Sequence, residues 1–315
     1  MKKDIDQNSL EALIAKKQKR RRQRNQTIKI SIITLIIGII ALIFLMPIVL
    51  TVTNSFMQKT EISSNYGIVF SSSTSKSDSL VGKEVNLKFI PDIVSFSQYY
   101  TVLFKSPDYL EKFWNSVILV VPIVIGQVLV SIWAAYALSR VRKKWKEAIF
   151  FTYIILMLMP YQVTLVPNYL VADKIGLINN NLAIWLPGIF SPFAVYILTK
   201  YMRRIPNSII EAAQIDGCME SQIFWQVAFP LCKGAMASVG ILLFIDYWNM
   251  VEQPIILLPN ESMHPLSVFL SKINSGEIGL AFAVASIYMF LPMFVFLYGE
   301  EYLVEGISFQ GGVKG

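Results

Sequence analysis

What most limits the folds open to this chain is a series of long segments without one charged side chain: Ile30 to Met57, Phe113 to Leu138, Ala148 to Ala172, Ile178 to Thr199 and Ile278 to Gly299. A helix needs about 20 residues to cross the roughly 30 Å hydrocarbon core of a bilayer, and each of these runs is long enough. A sixth stretch begins near Phe229 or Leu231 and runs to about Trp248, interrupted only by Lys233 at its mouth and Asp246 near its far end. Lipid offers no hydrogen bonds, so a spanning segment must satisfy its backbone internally, as a helix does. The chain therefore reads as an all-α polytopic membrane protein with six transmembrane helices. Composition agrees, with 54% hydrophobic and only 16% charged residues, against about 25% charged in an ordinary soluble domain.

Charge sets the expected orientation. Residues 1–29 hold ten Lys or Arg, seven of them between Lys16 and Arg24, against Asp4, Asp6 and Glu11, so this tail alone carries the whole chain's net charge of +7. Arg140, Arg142, Lys143, Lys144 and Lys146 crowd the second connection, and Lys200, Arg203 and Arg204 open the fourth, whereas the third and fifth hold only Lys174 and Lys272. Lys and Arg accumulate in cytoplasmic loops, which places both termini inside. A patch for lipid headgroups or nucleic acid is the other reading of such a tail; topology alone accounts for it, and no nucleic-acid partner is expected. The first apolar run is too long for a signal-peptide core and has no small-residue cleavage site, so it is expected to stay as an anchor. The expected organisation is a basic cytoplasmic tail (1–29), a first transmembrane helix (30–57), an external loop (58–112), a core of five helices (113–304) and a cytoplasmic tail (305–315).

The external loop balances six basic against six acidic residues. Its first half is rich in serine (Ser71, Ser72, Ser73, Ser75, Ser77, Ser79), a composition of flexible linkers. Its second half turns apolar and aromatic through Phe89, Ile90, Phe96, Tyr99, Tyr100 and Phe104, which fits either a small external cap or docking surface, or side chains resting at the membrane interface. Pro160 and Pro167 fall in the third span, Pro187 and Pro192 in the fourth and Pro292 in the sixth. Proline lacks the N–H and clashes with the preceding turn, so several helices should be kinked or broken at membrane depth. Such breaks are tolerated where helices pack in protein or line a wet cavity, which favours a conduit over a simple anchor, although prolines are in any case commoner in membrane helices than in soluble ones.

Catalytic chemistry has few materials here. The one histidine, His264, lies in the fifth connection, so no Ser-His-Asp arrangement or His-based metal site is expected within the membrane. Cys218 and Cys232 are the only cysteines; both fall on the expected cytoplasmic side, where disulfides are rare, and read as free thiols. No G-x-x-x-x-G-K-[ST] occurs, so the chain has no P-loop to hold nucleotide phosphates. No cofactor, metal or catalytic residue is expected, and if ATP drives transport the ATPase is another polypeptide. Asp246 is the one clearly embedded acid, and a lone acid argues against a proton-driven carrier, which needs a relay of ionisable groups. With Tyr247, Trp248 and Asn249 it could offer hydrogen bonds and aromatic faces to a polyhydroxylated solute in a pathway. The other reading puts Asp246 in water at the external interface, with Tyr247 and Trp248 in the aromatic belt.

One segment, Ser208 to Leu231, is neither uniformly apolar nor an ordinary polar loop. Ser208 stands three residues before Glu211, the capping-box spacing at a helix start. Ala212 and Ala213 are small enough for close approach of a partner's surface, and Gly217 can adopt the left-handed conformation that ends helices. Ser221 is then expected to cap a second short helix through Phe224 and Trp225, which Pro230 should end or kink. A two-helix hairpin has too little core to bury Ile209, Ile210, Phe224, Trp225 and Phe229 by itself, so it needs a partner.

At these residues a resemblance emerges. Glu211-Ala212-Ala213, followed at a fixed spacing by Asp216-Gly217 and then by Phe229-Pro230-Leu231, resembles the EAA loop of permease subunits of binding-protein-dependent ABC importers, the MetI-like permeases. Asn115-Ser116, Ala135-Tyr136-Ala137-Leu138-Ser139-Arg140, Pro160 and Pro167, Trp248-Asn249 and the terminal Gly311-Gly312-Val313-Lys314-Gly315 agree with the same family over roughly residues 113–315. Within it the tail and span count are similar to the maltose-permease G-type subunit of the carbohydrate-uptake branch. The resemblance implies a six-helix MetI-like fold in the bacterial cytoplasmic membrane, with both termini inside and the loop at 205–231 serving as a cytoplasmic coupling helix. It implies that Glu211, Ala212, Ala213, Asp216, Gly217, Phe224 and Pro230 meet the ATPase and that Gly312, Val313, Lys314 and Gly315 reach toward it. It further implies a second homologous permease subunit, an ATPase dimer and an external solute-binding protein, the last touched by residues 251–277. Where the family continues Trp-Asn with aromatic and apolar residues, this chain has Met250-Val251-Glu252-Gln253 before Pro254, which leaves the solute subclass open. The expected function is ATP-driven sugar or oligosaccharide import by alternating access. A non-sugar solute, a carrier or channel acting alone, and a non-transporting membrane scaffold or regulator stand as alternatives.

Overall fold

The computed structural model describes residues 2–71, 87–140, 145–272 and 278–308, and it is helical almost throughout. Helix α1 (Lys2–Ser55) runs without interruption from the basic tail through the first apolar run, so the tail is continuous with the anchor. Its apolar stretch, Asn25–Ser55, has no buried residue in its most hydrophobic window. Large apolar side chains such as Ile37, Leu42 and Phe44 point outward on all sides, which is the pattern of a helix whose solvent is lipid.

The connection after α1 folds back on it. Helix α2 (Lys59–Ser71) follows, and Asn54 Nδ2 donates to the Tyr66 hydroxyl (2.8 Å), Ser55 Oγ shares a hydrogen bond with Tyr99 (2.6 Å), and Gln98 Nε2 donates to the Met57 carbonyl (2.5 Å). Lys88 pairs with Glu61 at 2.8 Å and with Asp92. The aromatic half is thus split: Phe56 packs on Tyr99 and Phe96, while Ile90 and Phe104 stay exposed. Ser72 to Ser79 lie outside the described residues.

Helix α3 (Pro107–Arg140) is the spine of the core. Its buried positions Ser116, Leu119, Val120, Ile123, Gln127, Ser131, Ala135 and Leu138 recur every three or four residues, the stripe of an α-helix seated against neighbours. Asn115 Nδ2 donates to the Ser262 carbonyl (2.6 Å) and Ser116 Oγ accepts from the Leu266 N–H (2.9 Å), which pins the fifth connection to the start of α3. Toward the middle, a Cβ on Gly188 would stand 2.9 Å from Ile123 and one on Gly126 2.8 Å from Ile189. Small residues allow this close helix crossing, as is common in membranes.

The third span is not one helix. Helices α4 (Trp145–Met157) and α5 (Tyr161–Lys174) meet at 97°, because the residue before a proline avoids the helical region and Pro160 itself is extended. Pro167 remains inside α5. In the fourth span α6 (Leu182–Ile189) accommodates Pro187, and the break falls at Phe190 and Ser191, after which Pro192 opens α7 (Pro192–Met202). Proline is well suited to a first helical turn, where its missing N–H costs nothing. Helix α8 (Asn207–Ile215), α9 (Glu220–Ile223), a π-turn (Phe224–Ala228) and a short turn (Phe229–Leu231) lead to α10 (Lys233–Trp248), which bends by 68° from the segment before it. After α11 (Glu252–Leu257) and α12 (Leu266–Ser271) comes α13 (Ile278–Ser308), which continues past the expected end of the sixth span at Gly299. Among the described residues four helices are long and apolar enough to cross a membrane, and the number reaches six if each bent pair is one span. Gly312, Val313, Lys314 and Gly315 lie outside the described residues, as do Arg142, Lys143 and Lys144.

Two large buried clusters hold the core helices, and a small third one, Met57, Ile62 and Tyr66, holds the first connection. Of the large clusters, one gathers Leu119, Ile123, Ile184, Trp248, Leu257, Leu266 and Val284 near the start of α3. The other gathers Ile132, Leu198, Met202, Ile210, Ile223, Phe224 and Val239 near its end. Each large cluster supports one candidate site.

Candidate functional site

The first site is the helix pair α8–α9. Helix α8 starts at Asn207 behind Pro206, with no side-chain cap, so the expected Ser208 cap is not formed. Ser208 lies in the first turn, because Pro206 already fixes the entry and Asn207 Oδ1 is held by the Arg140 guanidinium at 3.1 Å. At the other end Gly217 has φ +80°, its N–H donates to the Gln214 carbonyl (3.1 Å), and the Cys218 N–H reaches the Ala213 carbonyl (3.0 Å). This crossed pair of bonds is the Schellman closure that glycine makes without steric cost. Ser221 does not cap α9 either; Gln222 Oε1 accepts from the Met219 N–H at 2.8 Å. Nor does Pro230 end the helix. The preceding π-turn, closed by the Phe229 N–H on the Phe224 carbonyl, widens the backbone ahead of the proline, and the bend falls at Cys232.

The pair is only partly without a partner. Ile210 and Phe224 are buried, Phe224 at 3% exposure, with its ring 4.9 Å from Trp133 and 5.2 Å from Tyr136 of α3. Phe224 therefore packs on its own chain, which corrects the expectation that it needs another subunit to bury it. Tyr136 donates to Glu220 Oε2 (2.7 Å), and Gln214 Nε2 donates to Glu220 Oε1 (3.1 Å). Trp133, Tyr136 and Arg140 thus form a seat for the hairpin, a role that sequence reasoning missed. Their spacing of three and four residues on α3 was the available signal. The opposite surface is open: Glu211, Ala212, Asp216 and Gly217 are exposed, and Ile215 and Met219 are 85% and 71% exposed. Ala213 and Pro230 lie at the edge, half-buried and exposed respectively. Cys218 and Cys232 are both free thiols.

The second site is a cavity of about 670 Å³ between the α4–α5 bend, the α6–α7 break and the end of α10. Asp246, Tyr247 and Asn249 line it together with Tyr161, Asn168 and Glu252. Both helix breaks forced by Pro160 and Pro192 open onto this space. The Tyr247 hydroxyl donates to the Gly188 carbonyl (3.3 Å), and Gln162 Nε2 lies 3.3 Å from a Glu252 oxygen. Trp248 does not belong to it. Its side chain is fully buried, stacked between Phe244 and Tyr288 at 5.3 Å from each, with Nε1 donating to the Tyr288 carbonyl. One helical step turns Trp248 away from the face shared by Asp246 and Tyr247, so it is a core residue. His264 is likewise structural, buried with Nε2 2.8 Å from the Leu258 carbonyl.

Residues 127–307, more than half of the chain, match the family described as the binding-protein-dependent transport system inner membrane component. The chain belongs to that family. The matched region of this transport component begins at the buried Gln127 of α3 and takes in both the hairpin and the cavity, leaving α1, α2 and the first connection outside it. The permease is 29% identical over 244 residues to the arabinooligosaccharides transport system permease protein AraQ of Halalkalibacterium halodurans, covering 76% of this chain and 86% of that one. It is 30% identical over 243 residues to AraQ of Bacillus subtilis, with the same coverage. Its fold matches a chain from the crystal structure of a bacterial ABC transporter involved in the import of the acidic polysaccharide alginate, with a TM-score of 0.68 and 23% identity, over 85% of this chain and 93% of that one.

Proposed function

We propose that this chain is one of the two membrane subunits of an ATP-driven importer in a bacterial cytoplasmic membrane, and that its solute is a sugar or oligosaccharide delivered by an external binding protein. The names of the AraQ relatives support the solute class, and the basic residues on the α1 tail and the hairpin end of the core support an inward orientation of both. The observation that carries the reading is the two-sided hairpin. Phe224, Ile210 and Glu220 fasten α8 and α9 to α3, while Glu211, Ala212, Asp216, Ile215 and Met219 present an open surface. A rigid element fixed to a spanning helix on one side and open on the other transmits displacement; a floppy loop would absorb it. In this reading a dimer of ATPase subunits closes on ATP, pushes the hairpin, and rocks α3 and its neighbours against the second permease subunit, with the C-terminal tail reaching toward the ATPase. The cavity at Asp246, Tyr247 and Asn249 is this subunit's share of the pathway, and the fifth connection faces the binding protein.

Reconstitution tests it. In proteoliposomes, uptake of a radiolabelled neutral oligosaccharide is expected only when this chain is combined with its second permease subunit, the ATPase, the binding protein and ATP. Uptake by this chain alone, without ATP, would show a carrier or channel instead, and unchanged uptake in cells deleted for the chain would show a scaffold.

A further inference from the structure

The cavity carries a charge pattern that the proposed function does not use. Two carboxylates, Asp246 at the end of α10 and Glu252 at the start of α11, line the same space, and its described lining contains no lysine, arginine or histidine. Neither acid forms an ion pair among the described residues. Glu252 is approached by the Gln162 amide, a neutral donor that orients the carboxylate without cancelling its charge. The rest of the polar lining is uncharged: Thr164, Asn168, Ser191 and Asn249 supply hydroxyls and amides, and Tyr161 and Tyr247 supply aromatic faces.

From this lining we infer that the cavity selects its cargo by charge, admitting neutral or cationic hydroxyl-rich solutes and excluding those that carry carboxylates, such as uronic acids. Carboxylates accept hydrogen bonds from sugar hydroxyls, and these charge-assisted bonds are stronger than neutral ones. A uronate would bring a third negative charge and meet no cation here. The concave, low-dielectric wall focuses the field of the two acids into the space the solute must cross, so the selection acts at entry as well as at contact. The inference rests on the proposed reading of the cavity as pathway.

Engineered thiols measure the field directly. Ser191→Cys and, separately, Thr164→Cys are placed in the assembled importer with Cys218→Ser; Cys232 is buried and remains. The parent without an engineered thiol gives the background. Each thiol is reacted with a cationic trimethylammonium and an anionic sulfonate methanethiosulfonate, and the rate ratio is divided by that of a free small thiol. The expected normalised ratio favours the cation by about tenfold or more and falls several-fold when Asp246→Asn and Glu252→Gln are combined. A ratio equal to that of the free thiol, unmoved by the double substitution, would overturn charge selection while leaving the pathway reading intact. No reaction of either thiol with either reagent would show a space closed to water and would overturn the pathway reading itself, and charge selection with it.

Discussion

At the residue scale, aromatic side chains next to the family's motifs separate into those that build the chain and those that face outward. Phe224 sits under Trp133 and Tyr136, so Phe224→Ala should cost about 3 kcal/mol through the cavity it leaves, read as a lowered thermal transition of the purified subunit in detergent. An unchanged transition would mean that the ring is not packed as described. Trp248→Ala should likewise lower stability, since the ring is stacked on Phe244 and Tyr288, whereas Asp246→Asn should leave stability alone and alter the KM for uptake. The reverse assignment of effects would put Trp248 in the pathway. Sequence could not make this division. Within an apolar stretch an aromatic reads the same whether it points to lipid, cavity or core, and Asp246, Tyr247 and Trp248 are consecutive, so only the helical phase of α10 separates them.

At the scale of elements, the turn between α8 and α9 was legible because its chemistry is local. A glycine at φ +80° is the kind of position that few other residues accept, and Gly217→Ala should cost about 1–2 kcal/mol and lower ATP-driven uptake in proportion to the loss of hairpin order. Hydrogen exchange of the α8 amides would show it. The caps were not legible: Ser208 and Ser221 have the right spacing, but α8 starts behind Pro206 without a side-chain cap and Gln222 holds the start of α9. The break at Pro160 was expected, but its 97° angle was not, because the proline marks where the helix stops, while the direction of the next helix also depends on the packing of α5 against α11. The first connection is held by Lys88 between Glu61 and Asp92. Hydrogen bonding to Asp92 and then Glu61 raises the Lys88 pKa, and Lys88 holds the Asp92 carboxyl below its ordinary value of 3.8. Asp92's contribution is therefore present above that value and lost as pH falls through its depressed pKa. That of Lys88 is present below the ordinary 10.5 and lost as pH rises through its raised pKa. Proteolysis of the 58–112 segment should accelerate at both extremes, and Lys88→Met should remove both dependences.

At the scale of the whole molecule, the all-helical character of the long apolar segments was readable because an uncharged run of this length satisfies its backbone in lipid as a helix. The division into two large buried clusters, one beneath the cavity and one beneath the hairpin, was not, since it arises from contacts far apart in sequence. That division supports the proposed mechanism: α3 passes through both clusters, and a displacement at its Trp133–Arg140 end is carried toward the helices that wall the cavity. The direct test is the ratio of solute imported to ATP hydrolysed by the reconstituted importer carrying Glu211→Lys, on the exposed face of α8, or Gly217→Pro, which cannot adopt the observed φ. Both subunits should still insert and the complex should still hydrolyse ATP, with uptake per ATP reduced about tenfold or more, the size of a typical coupling free energy. Uptake per ATP equal to that of the unaltered chain in both variants would contradict the coupling role of the hairpin.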